Sequence, residues 1–169
     1  VGFLTSSWNA GKREMSVMKD SQVAGGGAAR KASCAAAFLL HTCSAEDAPR
    51  RRIANALSSD VSPHGPINAC VEMLRLASNS SDDVGQRQTP SDADRVVAAH
   101  ALSLLGNCAL ETKTKVALRA CCEVANTTVP GIITPVLTCG VSALSERAAA
   151  LLGNLCGDAD IRGQLANDA

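Results

Sequence analysis

Aromatic residues make up only 2% of this 169-residue sequence: Phe3, Trp8 and Phe38, with no tyrosine. A core without large rings has to be packed from Leu, Val, Ile, Ala and Cys, and alanine, at 29 residues, fills much of the gap. Alanine is the best helix former and aromatics are favoured in strands, so the balance points to an all-α protein. Net charge is missing too, with 16 Lys and Arg against 16 Asp and Glu. That argues against nucleic acid or an anionic membrane as the partner. Apolar runs such as residues 35–40 fall far short of the roughly 20 residues that cross a bilayer. Charged residues at 19% and a mean hydropathy of +0.08 exclude a disordered acidic or basic tail. The length fits one ordinary domain or a short repeat array.

Catalytic and metal motifs are equally scarce. There is no Cys-x-x-Cys, and His41, His64 and His100 are far apart. His41 and Cys43 form an H-x-C pair without a second pair at zinc-site spacing, so no metal or other cofactor is expected. The stretch from Gly25 to Lys31 lacks the G-x4-G-K-[S/T] spacing of a P-loop. No Ser-His-Asp order, H-E-x-x-H or carboxylate pair recommends itself, so no catalytic residue and no small-molecule substrate are expected. The basic triplet Arg50-Arg51-Arg52 has no aromatic neighbour to stack a base, which fits a solvated face better than nucleic acid.

Cysteine, by contrast, is abundant: Cys34, Cys43, Cys70, Cys108, Cys121, Cys122, Cys139 and Cys156. Most sit inside apolar runs, where free cysteine behaves as a small buried hydrophobe. Disulfide scaffolds lack a core, and this chain has the Leu, Val and Ala for one. Reduced structural thiols in a cytoplasmic or nuclear protein are expected. The vicinal pair Cys121-Cys122 is either a redox element or, more blandly, one thiol in the core and one against a neighbouring helix. The sequons at Asn79 and Asn126 matter only in the secretory pathway, where nothing else places the chain. Val1 in place of an initiator Met leads us to expect a fragment or a processed chain, so the lack of a signal peptide carries no weight.

The chain overlays on itself. Leu104-Leu105-Gly106-Asn107 recurs as Leu151-Leu152-Gly153-Asn154, 47 residues on. Around it Val97, Ala101, Leu104, Leu105 and Cys108 match Leu144, Ala148, Leu151, Leu152 and Leu155. Both sets follow i, i+4, i+7, i+8, i+11, one stripe of an α-helix. Moving back 65 residues gives Ala32, Ala36, Leu39, Leu40 and Cys43, a third copy. A second element runs from Gly65 to Leu74 and again from Gly131 to Gly140. In each, Gly opens a short helix with apolar residues at i, i+3, i+4: Ile67, Cys70 and Val71, then Ile133, Val136 and Leu137. A further amphipathic segment precedes each, with Ile53, Ala56 and Leu57 at residues 50–57 and Leu118, Cys121, Cys122 and Ala125 at residues 115–125. The unit is therefore three helices. One unit carries an additional polar stretch at about residues 78–92, read as an inserted loop, with Ser91 or Asp92 capping the helix that follows.

This order resembles the armadillo repeat, whose second helix reads G-A-I-P-x-L-V-x-L-L and whose third reads E-A-x-W-A-L-x-N-L-A. Gly65 to Leu74 fits the former; Ala101-Leu102-Ser103-Leu104-Leu105-Gly106-Asn107-Cys108-Ala109 and Arg147 to Cys156 fit the latter. The resemblance covers residues 28–169. Residues 1–27 read as a degenerate or partial N-terminal repeat, with residues 12–21 as a decayed second helix. It implies a right-handed α-solenoid of three-helix units, each covering its neighbour's apolar face. HEAT-type repeats, usually of two helices with no Gly-led segment, are the near neighbour.

In armadillo arrays the third helices line a concave groove that receives extended peptides. The resemblance carries the groove's tryptophan position onto Phe38, Ser103 and Ala150, and its asparagine position onto Thr42, Asn107 and Asn154. The helical period gives a compatible stripe: His100, Ser103 and Asn107 share one face, repeated by Arg147, Ala150 and Asn154. Asparagine offers both donor and acceptor to a peptide main chain, and it also occurs simply because it ends helices. The missing tryptophans argue against nuclear-localisation peptides, whose basic side-chain stems importin-type proteins pack on those rings. His100 and Arg147 make the groove mildly basic, which fits an acidic or neutral ligand or, more commonly, simply a solvated charge. The expected function is a non-catalytic scaffold binding a protein or extended peptide at Phe38, Thr42, His100, Ser103, Asn107, Arg147 and Asn154. The rivals are a structural spacer or oligomerisation segment of a larger protein, and, more distantly, a thiol-based redox protein.

Overall fold

The computed structural model describes residues 35–78 and 90–167, and all regular structure within them is helical. Eight helices follow one another: α1 (residues 35–43), α2 (Asp47–Leu57), α3 (Pro66–Ala77), α4 (Asp92–Cys108), α5 (Thr112–Val124), α6 (Val129–Leu137), α7 (Ser142–Leu155) and α8 (Ala159–Asn167). The expected partial repeat over residues 1–27, Cys34, the sequon at Asn79 and most of the expected loop at 78–92 lie outside the described residues. On its two sides α3 ends at Ala77, and Ser91, one of the two cap candidates, is the N-cap of α4.

Helix starts explain much of the register. Ser91 Oγ accepts from Asp94 N at 3.2 Å, and the Asp94 carboxylate accepts from Ser91 N at 3.1 Å, a reciprocal capping box. Asp92, the other candidate cap, turns outward to Arg95 at 3.3 Å. Gly65 is the N-cap of α3, with Pro66 directly after it. The second copy departs from the expected alignment. There Thr128 is the N-cap, its hydroxyl accepting from Gly131 N at 3.0 Å, and Gly131 already lies inside the first turn. A side-chain cap satisfies a free helix N–H that glycine cannot, so α6 opens at Thr128, three residues before the glycine.

Corresponding helices of the sequence repeat pack on each other: α2 on α5, α3 on α6, and α4 on α7, the last being the most extensive helix contact. The core they share includes Leu57, Ile67, Leu74, Leu104, Leu105, Ile133, Leu144, Leu151 and Leu155, all at most 2% exposed. All five apolar template positions of α4 are buried, and in α7 all but the half-buried Leu152. The first copy differs: Ala36 is buried, but Leu39 is 61% exposed and Cys43 is exposed. No described element covers that side of α1. Smaller corrections concern Ala56, Ala125 and Leu137, which are half-buried, while Ala54 is the buried alanine of α2.

The final helix, α8, was not foreseen. It contributes one buried residue, Ile161, and its Gln164 Oε1 accepts from Val129 N at 3.3 Å at the start of α6. Arg119 of α5 reaches across to Asp160 and, at 3.8 Å, to Asp158. A similar polar tie joins the preceding pair, where Arg50 of α2 meets Glu111, the N-cap of α5, at 3.6 Å.

Cys70, Cys108, Cys121 and Cys122 are buried, and every cysteine among the described residues is a free thiol. Desolvation pushes Cys70, Cys108 and Cys122 up to about 12 and raises Cys121 as well. Within the vicinal pair, Cys122 joins the apolar lining of a small void with Leu74, Leu105 and Leu151, whereas Cys121 Sγ points to Asn68 Oδ1 of α3 at 3.5 Å. Buried thiols held protonated react slowly, since the thiolate is the nucleophile. Titration with an aromatic disulfide reagent at pH 8 should modify Cys43 within seconds and leave these four protected until denaturant is added.

Glycine is required at position 65 by close approach. A Cβ there would lie 2.1 Å from the backbone oxygen of Asp60, whereas one at Gly131 would meet only the Thr127 and Thr128 hydroxyls at 3.1 and 3.0 Å. Overpacking of this kind costs about 1–3 kcal/mol. Gly65→Ala should therefore lower the urea midpoint clearly more than Gly131→Ala does.

Candidate functional site

The expected groove residues all lie on α1, α4 and α7, and the structure brings most of them into contact across the helix boundaries. Their arrangement is diagonal: Phe38 and Ser103 each meet a residue of the next helix that lies three positions, nearly a turn, before their own equivalent in the repeat. Phe38 of α1 meets the edge of His100 on α4, with centroids 5.3 Å apart. At the next boundary Ser103, the equivalent of Phe38, accepts from Arg147, the equivalent of His100. Arg147 also donates to Ala99 O at 3.3 Å. Both Phe38–His100 and Ser103–Arg147 thus join the tryptophan position of one helix to the start of the stripe on the next.

The asparagines form the second rung. Asn107 Nδ2 donates at 2.9 Å to Ser44 Oγ, which itself donates to His41 O at 2.7 Å at the C-terminal end of α1. Asn154 Nδ2 donates at 2.9 Å to Gly106 O, near the C-terminus of α4. Carbonyls in a helix's last turn lack an intrahelical partner. Each asparagine therefore ties down the end of the preceding helix, directly in one case and through a buried hydroxyl in the other. They sit near the ends of their own helices without capping them. Their Oδ1 atoms accept no hydrogen bond from the described residues.

Two expected members contribute less. Thr42 Oγ1 donates back to Phe38 O of its own helix at 2.9 Å, so the asparagine position is filled in α1 by a side chain that turns inward on its backbone. Ala150 is exposed and presents only a methyl group where Phe38 presents a ring. Phe38 itself is 50% exposed.

Two members were missed: Ser44 and His41. Ser44 is fully buried, outside the third helix in sequence, and carries no pattern that would single it out. His41 enters through its ring, which lies 5.7 Å from that of His100. The Nδ1 atoms of both rings are buried without hydrogen-bond partners. Desolvation, followed by the positive charge of Arg147, holds His41 below its ordinary value of 6.5; desolvation, then His41 and Arg147, does the same to His100. No cluster of three or more His, Cys, Asp or Glu with metal-binding geometry occurs among the described residues. Nor does any described helix have the length and apolarity to cross a membrane.

The histidine shifts make the fold pH-sensitive in a definite direction. An imidazole whose folded value is depressed favours the neutral form in the folded state, so the unfolded chain binds more protons as pH falls. Their contribution is fully present above the unfolded value near 6.5 and is lost as pH falls through and below it. Denaturant midpoints measured between pH 7.5 and 5 should decline, and His41→Gln with His100→Gln should flatten that decline.

No protein-family model matches the chain, and no curated protein or solved structure matches it either.

Proposed function

We propose that this chain is part of an armadillo-like right-handed solenoid that works as a non-catalytic protein-interaction scaffold, receiving an extended peptide along the face of α1, α4 and α7. The observation that carries the reading is the diagonal ladder on that face, where residues in equivalent repeat positions meet at successive helix boundaries. Packing of first helix on first, second on second and third on third supports the repeat itself. Such an array leaves one row of third helices with equivalent side chains at regular intervals, the arrangement an extended chain can follow. With their amide nitrogens committed to the protein, Asn107 and Asn154 are held in fixed orientation and keep their carbonyl oxygens for peptide N–H groups. Pre-organised acceptors of this kind lose little entropy on binding.

One observation favours a second reading. The same two hydrogen bonds explain both asparagines without any ligand, which suits a spacer whose third helices are simply stapled together. The two readings separate on binding. A displayed library of unstructured peptides should yield binders to the wild type, and Asn107→Ala with Asn154→Ala should weaken them by about tenfold or more, the equivalent of about 1.4 kcal/mol. The melting temperature should fall only by the few degrees that two net hydrogen bonds are worth. Unchanged affinity in the double variant, or no selected binder, would sink the groove and leave the spacer.

A further inference from the structure

The face just described has a marked charge asymmetry at one place. Three helices contribute one basic side chain each to it: His41 from α1, His100 from α4 and Arg147 from α7. Arg147 donates only to neutral oxygens, those of Ala99 and Ser103, and forms no ion pair with any described carboxylate. Of the other described arginines, Arg50, Arg51, Arg75, Arg95 and Arg119 pair with acids, and the two that do not, Arg52 and Arg162, are exposed to solvent. The guanidinium on this face is thus half-buried and uncompensated. Nothing within the described residues accepts from Nδ1 of either imidazole, so no described acceptor at that nitrogen stabilises their protonated forms.

From this we infer that His41, His100 and Arg147 form a carboxylate-receiving cluster, and that the peptide bound on this face is an acidic one. The inference rests on the groove reading and narrows it to one partner chemistry. A carboxylate seated among the three groups gains a charge-assisted hydrogen bond from the planar guanidinium, which is suited to pairing with carboxylates. It also supplies the negative charge that His41 and His100 lack. The charges whose fields reach the rings are Arg147 at His41, and His41 and Arg147 at His100, all of one sign, so an incoming carboxylate raises both imidazoles toward protonation. By linkage, acidic-peptide binding must then take up protons and tighten as pH falls toward 6. The zero net charge of the chain means that such binding would be local rather than a bulk attraction.

The test is fluorescence anisotropy with a labelled ten-residue glutamate peptide and a matched glutamine peptide, at constant ionic strength and at pH 7.5 and 6.0. The glutamate peptide should bind about tenfold more tightly than the glutamine one at pH 7.5, as expected for one charge-assisted contact, and more tightly still at pH 6.0. Arg147→Gln should remove that preference. Arg147→Lys, which keeps the charge, should retain much of it, which separates lost charge from lost packing. His41→Gln with His100→Gln should abolish the gain, so that the ratio of affinities at pH 6.0 and pH 7.5 falls to about one whatever the affinity at pH 7.5. Equal binding of the two peptides, or an unaltered preference in Arg147→Gln, overturns the acidic partner and leaves the groove standing. If neither peptide binds but a library-selected one does, the acidic partner is again overturned; if no peptide of any kind binds, the groove falls with it.

Discussion

The contacts of Arg147 and Asn154 on the candidate face depend on how closely α7 lies against α4. A Cβ built at Gly106 would sit 3.9 Å from the Cα of Leu151, an ordinary van der Waals contact, so the two backbones there are separated by little more than the width of one methyl group. The neighbouring contact positions Ala98, Ala101 and Ala148 are fully buried, and Leu104, Leu105, Leu151 and Leu155 fill the space around them. Small residues at the closest approach let larger ones interdigitate on either side, which is how interiors reach close-packed density. The approach also sets the polar geometry. Only because the helices are this near can Asn154 reach Gly106 O and Arg147 reach Ser103.

The same constraint accounts for the chain's composition. A protein nearly free of aromatics has no large ring with which to wedge helices apart and fill the gap. Alanine, glycine and cysteine at contact positions remove the gap instead. Cys70, Cys108, Cys121 and Cys122 belong to this packing, buried among Leu and Val and held protonated by desolvation. The one phenyl ring among the described residues, Phe38, is half exposed and meets His100 by its edge.

The helices of the second and third copies were legible in the sequence because their stripes obey one template, and α4 buries all five of its positions. What escaped was decided by contacts that period alone does not encode. Glycine and threonine both open helices, and at α6 the hydroxyl of Thr128 prevailed over Gly131 because it satisfies a helix N–H. The last helix, α8, buries only Ile161 and so offers almost no stripe to read. Leu39 fits the template yet lies exposed, because a template states which face is apolar and not what covers it. On the candidate face, the shared stripe of His100, Ser103 and Asn107 followed from the 3.6-residue period. That Asn107 would be met by Ser44, and His100 by His41, followed from the stagger between helices, which no single helix carries in its sequence.

The central claim is that the two helices whose sequences repeat 47 residues apart stack on each other, with Gly106 against Leu151. The most direct measurement is the nuclear Overhauser spectrum of the isotopically labelled chain, read between the α-protons of Gly106 and the Hα and side-chain protons of Leu151. Clear cross-peaks are expected at that contact, and with both residues assigned in a folded, helical sample their absence would contradict the packing from which the candidate face is built.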